Sequence, residues 1–419
     1  MTPYNREEVR VVKAILVGVE YDHMYYDLDI SIEELKELSK ACQIEVKDVV
    51  IQKLSQISSQ YYIGKGKVQE LKQMLDNDDI VIFNEELSPL QVKNLTDELG
   101  VEVSDRSDLI LRIFESRAQT KEAKLQVEMA RDQYLLPRLA GMKTELYSQQ
   151  GGSGFRGSGE KQIELDRRII HRRLLQARRE LQAIVKQRQT QRQLRKRTQE
   201  KVVCLVGYTN SGKSSLLNYF VNKKVYEEDM LFASLQTASR QVKLRNHHNI
   251  IMSDTVGFIN QLPHHLVQAF RSTLEEVKEA DLLLHVIDSS SSYCETQIET
   301  TLEVLEALEV KDTPMIYVYN KVDKDRYAFL QPREPYIFIS VKDQIHLDKL
   351  EDMIIETLFK DYESIELYIP YERGEVYSEI KQKYEMMKEE YLDAGIYLSF
   401  FIAKKDKYKY EKYIYHYLN

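Results

Sequence analysis

Short apolar runs alternate with helical stripes along the first 118 residues. KAILVGVEY (13–21) and DDIVIFN (78–84) have the dense aliphatic content of buried strands, whereas SIEELKELSKAC (31–42) and SPLQVKNLTDELG (88–100) space their apolar residues for helices. Ser88, with Pro89 next and Gln91 three residues on, predicts a capping box with proline in the first turn; Gly100 predicts the stop. This alternation predicts a small α/β domain over 1–118. YYIGKGKVQEL (61–71) has the glycines and lysines of a phosphate loop without its full spacing, and reads as a glycine turn entering a helix.

Between 119 and 198 the pattern becomes two long helices, a hairpin around the glycine-rich loop GGSGFRGSG at 151–159. A second helix unbroken over 160–197 spans about 57 Å. Its sparse apolar residues, Ile163 to Val185, form one stripe, enough for a single partner helix. Reversing direction needs only a few residues, and five glycines among nine are entropically costly. A backbone that must approach something closely explains them. Residues 199–362 return to alternating strands and helices, and 363–419 read as a small α+β domain.

Composition refines this picture. The 419 residues are 43% hydrophobic and 30% charged, sufficient for several cores, and the net charge of −8 argues against a uniformly basic nucleic-acid binder. Residues 160–200, however, hold 13 lysines and arginines against five acidic residues. A solvated coiled-coil face is one reading. A phosphate-backbone contact that releases counterions is the other, and the concentration of positive charge on one arm of an acidic protein favours it. Cys42, Cys204 and Cys294 show no metal spacing and fit a reducing compartment. No apolar run approaches the roughly 20 residues of a membrane-spanning helix, and MTPYNREEVR lacks a signal peptide's apolar core. The expectation is a cytoplasmic protein without a membrane span. His247, His248, His264 and His265 suggest neither a metal site nor a triad and are expected to be solvent-exposed.

KVVCLVGYTNSGKSS (201–215) supplies the chemistry. Strand 201–206 runs into Gly207-Tyr208-Thr209-Asn210-Ser211-Gly212-Lys213-Ser214-Ser215 and then a helix, the context a P-loop requires. Its glycines let backbone amides turn inward around the α- and β-phosphates. Lys213 would reach the β/γ oxygens, and the Ser214 hydroxyl would ligate Mg²⁺. Three further strings follow in the order a GTPase needs, each at a strand end. In DTVG (254–257), Asp254 would hold the Mg²⁺ shell and the Gly257 amide would meet the γ-phosphate. In NKVD (320–323), the Asp323 carboxylate would accept from guanine N1 and N2 while Asn320 and Lys321 brace the loop and cover the base. Ser340, Val341 and Lys342 would present a backbone amide to the guanine oxygen. The four together predict a guanine-specific nucleotide domain at the carboxyl edge of a parallel sheet. Lys213, Gly257 and Phe258 are the positions that decide catalysis. Where Ras-like GTPases carry a water-orienting glutamine, this chain has Phe258, so slow intrinsic hydrolysis awaiting a rearrangement or a partner's group is expected.

The order of these parts, with YIGKGK (62–67), DRSDLILRIFESRAQTKEAKLQVEMA (105–130), GGSGFRGSGEKQIELDRR (151–168), GYTNSGKSS (207–215), DTVGFI (254–259), LPHHLVQAFRSTLEE (262–276) and IPYERGEVYSEI (369–380), resembles the HflX family of ribosome-associated GTPases over almost the whole chain. The resemblance implies an α/β fold: a Ras-like P-loop GTPase domain joined to an N-terminal α/β domain, a long helical hairpin and a small α+β C-terminal domain. It implies GTP/GDP and Mg²⁺ as ligands. It also implies a monomer that binds the large ribosomal subunit, its rRNA and the 70S ribosome, with the glycine loop directed toward the peptidyl-transferase centre, and that splits or rescues stalled ribosomes under stress. Arg156, Arg167, Arg168, Arg172 and Arg173 become rRNA-contact candidates. Departures mark a diverged paralogue. Switch I reads LFASLQTASR (231–240), with Ser239 where the Mg²⁺-binding threonine is expected. Ser158 and Lys161 replace the usual Pro and Thr of the hairpin, and Val341 a small Ala beside guanine. Such a branch fits relief of ribosome-targeting antibiotics. The competing reading is a GTP-gated rRNA-binding or ribosome-assembly factor with little useful hydrolysis.

Overall fold

The computed structural model describes residues 12–21, 24, 26–139, 156–198, 201–221, 238–245, 248–255, 257–259, 277–310, 312–324, 331–384 and 386–415, with backbone alone at 156–163, 187–198 and 238. They fall chiefly into two compact units that divide after Gln182.

The first unit begins with β1 (Lys13–Tyr21), α1 (Leu28–Ala41), β2 (Glu45–Leu54), α2 (Lys65–Met74), β3 (Asp79–Phe83), α3 (Pro89–Leu99) and β4 (Glu102–Asp105). The four strands are parallel, in the order β2-β1-β3-β4. β1 and β3 are buried along nearly their whole length because helices cover both faces, as all-parallel sheets require. Ile15, Val17, Val81 and Phe83 pack on Val68 and Leu71 of α2 and Leu95 of α3. The capping box forms as expected: Ser88 Oγ accepts from the Gln91 amide, the Gln91 side chain returns to the Ser88 amide, and Gly100 closes α3 at φ +74°. The glycine turn at 61–67 also enters a helix, with Gly64 as the N-cap of α2 and its amide donating to the Gln52 side chain.

α4 (Arg106–Arg117), α5 (Lys121–Leu135) and the first part of the helix that follows complete this unit. Asp105 joins them to the sheet. It caps α4 by accepting from the Asp108 amide, and it also takes the Leu87 amide, the Tyr134 hydroxyl and Arg138. Burial pushes its carboxyl up to about 6, with Arg138 opposing the rise. α6 then runs without a break from Arg156 to Thr198, 43 residues or about 65 Å. Arg156 to Gly159 are therefore helical and not part of the glycine-rich loop. First-turn amides lack intrahelical acceptors in any helix, so glycine is tolerated there better than in the interior. The rest of that loop, 151–155, lies outside the described residues. Ile170, Leu174 and Ala177 of α6 are buried, the single apolar stripe the sequence predicts, while Leu165, Ile169 and Leu175 are exposed.

The second unit holds β5 (Lys201–Val206), α7 (Lys213–Phe220), β6 (Ala238–Lys243), β7 (Asn249–Asp254), β8 (Leu282–Asp288), α8 (Cys294–Ala307), β9 (Met315–Asn320), β10 (Tyr336–Phe338) and α9 (Leu347–Phe359). Their sheet has the order β10-β9-β8-β5-β7-β6 and is parallel except for β6. Val203, Leu205, Leu284, Val286 and Val318 bury one face under α7 and α9. An antiparallel sheet, β11 (Tyr362–Pro370), β13 (Gly395–Ala403) and β12 (Met386–Leu392), follows with α10 (Gly374–Lys383). Ile365, Leu367, Ile380, Leu398 and Phe400 form its core.

His248 departs from the expectation of exposure. Its ring stacks on Phe359 and lies beside Tyr362 and Phe401, because the β6–β7 turn is packed against the end of α9 and the antiparallel sheet. His247, His264 and His265 lie outside the described residues.

Candidate functional site

The P-loop leaves β5 at Val206 and enters α7 at Lys213. Three of its residues take left-handed backbone: Gly207 (φ +145°), Asn210 (φ +59°) and Gly212 (φ +97°). Both glycines are sterically required as well. A Cβ on Gly207 would lie 2.2 Å from the Val286 carbonyl oxygen, and one on Gly212 2.2 Å from Asn320 Nδ2. The loop therefore presses against β8 and against the NKVD segment, and no side chain fits between them.

Lys213 is buried, and Nζ donates to the carbonyls of Gly207 (3.1 Å) and Tyr208 (2.6 Å). Burial pushes its ammonium down to about 8, with Asp254 opposing and Lys321 reinforcing the shift. Beside it, the Ser214 hydroxyl donates to Asp254 Oδ2 at 2.6 Å. A hydroxyl against a carboxylate at the head of α7 is a set of hard oxygen donors, the kind Mg²⁺ takes. Ser239 stands inside β6, opposite Ser253 in the antiparallel register, and the two hydroxyls meet at 2.7 Å.

Switch II opens as a partner strand for the P-loop. The Phe258 amide donates to the Gly207 carbonyl (3.1 Å) and the Thr209 amide to the Phe258 carbonyl (2.8 Å). A Cβ on Gly257 would sit 2.8 Å from Thr209 Cα and 3.0 Å from Lys213 Nζ. Phe258 itself is 3% exposed and packs with Cys204, Val206, Val277 and Leu283. Its ring is part of the core, so toward the P-loop this position presents backbone groups only.

The base-recognition strings converge at the ends of β9 and β10. Asn320 Nδ2 donates to the Ser211 carbonyl (3.0 Å), and its Oδ1 accepts from the Val341 amide (3.2 Å). Lys321, itself left-handed at φ +64°, reaches the Asn210 carbonyl at 2.7 Å. Ser340 Oγ donates to Asp323 Oδ1 at 2.6 Å and accepts from the Asp343 amide. That hydroxyl is the first cause holding the Asp323 carboxyl below its ordinary value, with the Lys342 and Lys324 charges adding to it. Asp323 is thus kept anionic and able to accept hydrogen bonds.

Residues from four separated strings are therefore gathered at one sheet edge. Asp288, Ser289 and Ser290 join them although no motif marks them, since DSSSS reads as an ordinary polar loop. The arm candidates divide. All of Arg167, Arg168, Arg172 and Arg173 are exposed, but Arg168 pairs within its own helix with Glu164 at 2.5 Å, whereas Arg173 pairs with Asp132 of α5 at 2.9 Å and docks the two helices together. Nothing of the Arg156 side chain is described. Among the described residues no group of histidine, cysteine and acidic side chains forms a further metal cluster, and no helix is long and apolar enough to cross a membrane.

Comparison with known proteins identifies the family. Residues 29–115 match the "GTP-binding GTPase N-terminal" family, 117–195 the "GTP-binding GTPase Middle Region" and 202–321 the "50S ribosome-binding GTPase" family. The chain is 45% identical over 368 residues to the GTPase HflX of Caldanaerobacter subterraneus subsp. tengcongensis, covering 87% of this chain and 86% of that one. It is 36% identical over 380 residues to the GTPase HflX of Escherichia coli, covering 88% and 89%. A GTP-binding protein of Sulfolobus solfataricus solved with GDP matches at 27% identity and a TM-score of 0.43, over 83% of this chain and 98% of that one. The chain is a P-loop GTPase and belongs to the HflX family.

Proposed function

We propose that this GTPase binds the large ribosomal subunit in a GTP-dependent way and splits or rescues stalled ribosomes. The observation that supports the reading is the convergence of the P-loop, Asp254 and the NKVD segment at one sheet edge in a chain matched by the 50S ribosome-binding GTPase family, a chain that also carries a 43-residue helix with exposed arginines. Gly207 to Ser215 hold the phosphates, Asn320, Lys321, Asp323 and Ser340 to Lys342 the guanine, and Ser214 and Asp254 the Mg²⁺; Ser239, expected as a third ligand, is instead turned to Ser253 inside β6, on the face of β7 opposite Asp254. Bound there, the metal would neutralise charge on the β- and γ-phosphate oxygens. The γ-phosphate orders the switch that begins at Gly257, and hydrolysis lets it relax, changing how the cationic helix is presented.

Burial of Phe258 supports slow intrinsic turnover, because no side chain at that position can orient water. The mature subunit then supplies or rearranges the missing group. The boundaries near residues 118, 198 and 362 that the sequence suggests suit this division of tasks, while the compact units themselves divide after Gln182. Relief of ribosome-targeting antibiotics is a narrower form of the same reading, motivated by Ser158 and Lys161 in the hairpin.

Two measurements test the reading together. Co-sedimentation with purified 50S and 70S particles under GTP, GDP and a non-hydrolysable analogue should show attachment that depends on the triphosphate. Single-turnover hydrolysis should accelerate when large subunits are added. Attachment without acceleration favours the second reading, a GTP-gated rRNA binder, which Phe258 and Ser239 motivate. Preference for immature particles points to an assembly factor, and attachment indifferent to the nucleotide removes the proposal.

A further inference from the structure

Strand β8 ends in Asp288, which lies opposite Asn320 in the parallel register with β9. Both oxygens of its carboxylate are engaged. Oδ1 accepts from the Ser290 amide (3.0 Å) and hydroxyl (2.6 Å), and Oδ2 pairs with Lys321 Nζ at 2.8 Å. The two charged side chains are only 19% and 17% exposed, so solvent screens the pair weakly. Next to it, Ser289 donates both its amide (3.0 Å) and its hydroxyl (2.6 Å) to the Asn320 carbonyl. The turn after β8 thus grips the two residues that in turn grip the P-loop: Asn320 on the Ser211 carbonyl and Lys321 on the Asn210 carbonyl.

Lys321 needs that grip. Its left-handed backbone costs a side-chain-bearing residue free energy that glycine would not lose. Its ammonium must also be held in one place at the end of a four-carbon chain with several rotamers. An aligned carboxylate on one side and a loop carbonyl on the other fix it as a strut between β8 and the P-loop.

We infer that Asp288 is a positioning residue for guanine-nucleotide binding, acting through Lys321 to hold the P-loop and the base-recognition loop in mutual register. The inference rests on the reading of Asn320, Lys321 and Asp323 as the guanine loop.

The test is a double-mutant cycle in the full-length chain, read as the affinity and dissociation rate of a fluorescent GDP analogue. Asp288→Asn should weaken binding about tenfold, mostly through faster release. Asp288→Glu, which keeps the charge, should recover part of the loss. Lys321→Ala should weaken binding as well, and the double variant should be no worse than Lys321→Ala alone, because the two act as one unit. A merely structural carboxylate would instead lower the melting temperature and add its effect to that of Lys321→Ala. Binding by Asp288→Asn within twofold of the parent, or independent effects of the two substitutions, overturns the inference. If the Asn variant does not fold, the Glu variant in the same cycle decides between coupled and independent behaviour. Asp323→Asn run in parallel separates the two levels. If it moves preference from guanine to xanthine nucleotides while Asp288→Asn changes nothing, only the Asp288 role falls. If guanine preference is unchanged, the base-loop reading fails and the Asp288 role with it.

Discussion

The imidazole of His248 lies flat on the Phe359 ring, with centroids 3.8 Å apart and planes 3° apart. His248 belongs to the turn of the β6–β7 hairpin, whose other end carries Asp254. Phe359 closes α9, and Tyr362 and Phe401 of the antiparallel sheet complete the cluster. Arg245 fastens the same turn to α9 through Glu351 and Asp352. The hairpin between the two switches is thus anchored at its far end.

His248→Ala should therefore act on stability. Removing a stacked, half-buried ring forfeits its packing and its aromatic contact, about 1–3 kcal/mol. Thermal unfolding should show a lower midpoint, with GDP affinity retained because Phe359, Tyr362 and Phe401, against which the ring packs, lie outside the nucleotide strings. An unchanged midpoint would mean the stack contributes nothing.

His285 sets an acid limit on this unit. Burial in β8, reinforced by the charges of Lys213 and Arg333, pushes it down to about 3 from 6.5. The unfolded chain takes up a proton near pH 6.5 and the folded chain does not until about pH 3. Stability should fall as pH drops through that window, by about 2 kcal/mol between pH 6.5 and 5. Urea unfolding at several pH values should show this slope in the parent chain and a shallower one in His285→Gln. Equal slopes would remove the assignment.

Gly257→Ala probes the contact between switch II and the P-loop. The added methyl would meet Thr209 Cα at 2.8 Å and Lys213 Nζ at 3.0 Å. The paired main-chain bonds between Phe258 and the P-loop cannot then keep their geometry. Subunit-stimulated single-turnover hydrolysis should drop at least tenfold, on the order of 1.4 kcal/mol or more in the barrier. GDP affinity should change much less, since the diphosphate does not reach switch II. A parent-like hydrolysis rate would show that this segment moves freely.

The arm arginines should separate by role. Neutralising Arg167, Arg168 and Arg172 should weaken attachment to large subunits and flatten its salt dependence. Arg173→Ala should mainly loosen α5 from α6, because it leaves Asp132, a buried carboxylate already pushed up by burial, without its counter-charge. That variant should show faster hydrogen exchange in α5, with a salt slope close to the parent's. A parent-like slope in the triple variant would make the arm a solvated surface.

Strand and helix positions in the nucleotide unit are legible from the chain because aliphatic runs and glycine strings mark them locally. β1, the capping box of α3 and the unbroken course of α6 are readable for the same reason. β2 is not: EVKDVVIQKL is a half-exposed edge strand with charges on both faces and only a weak apolar signal. The start of α6 is misread because glycine is taken as loop, although a first turn tolerates it.

What the amino-acid order determined was the kind of chemistry: loop amides, one lysine and one serine for phosphates, and a carboxylate for guanine. Those groups are specified by residue type and short spacing, so they survive reading in one dimension. Tertiary structure alone decided how distant side chains pair, at that site and elsewhere. Asp288 lies 33 positions from Lys321, His248 more than 100 from Phe359, and Arg173 is drawn from the arm's charged face to Asp132. Those pairings depend on strand order and helix packing, which a local sequence window does not contain.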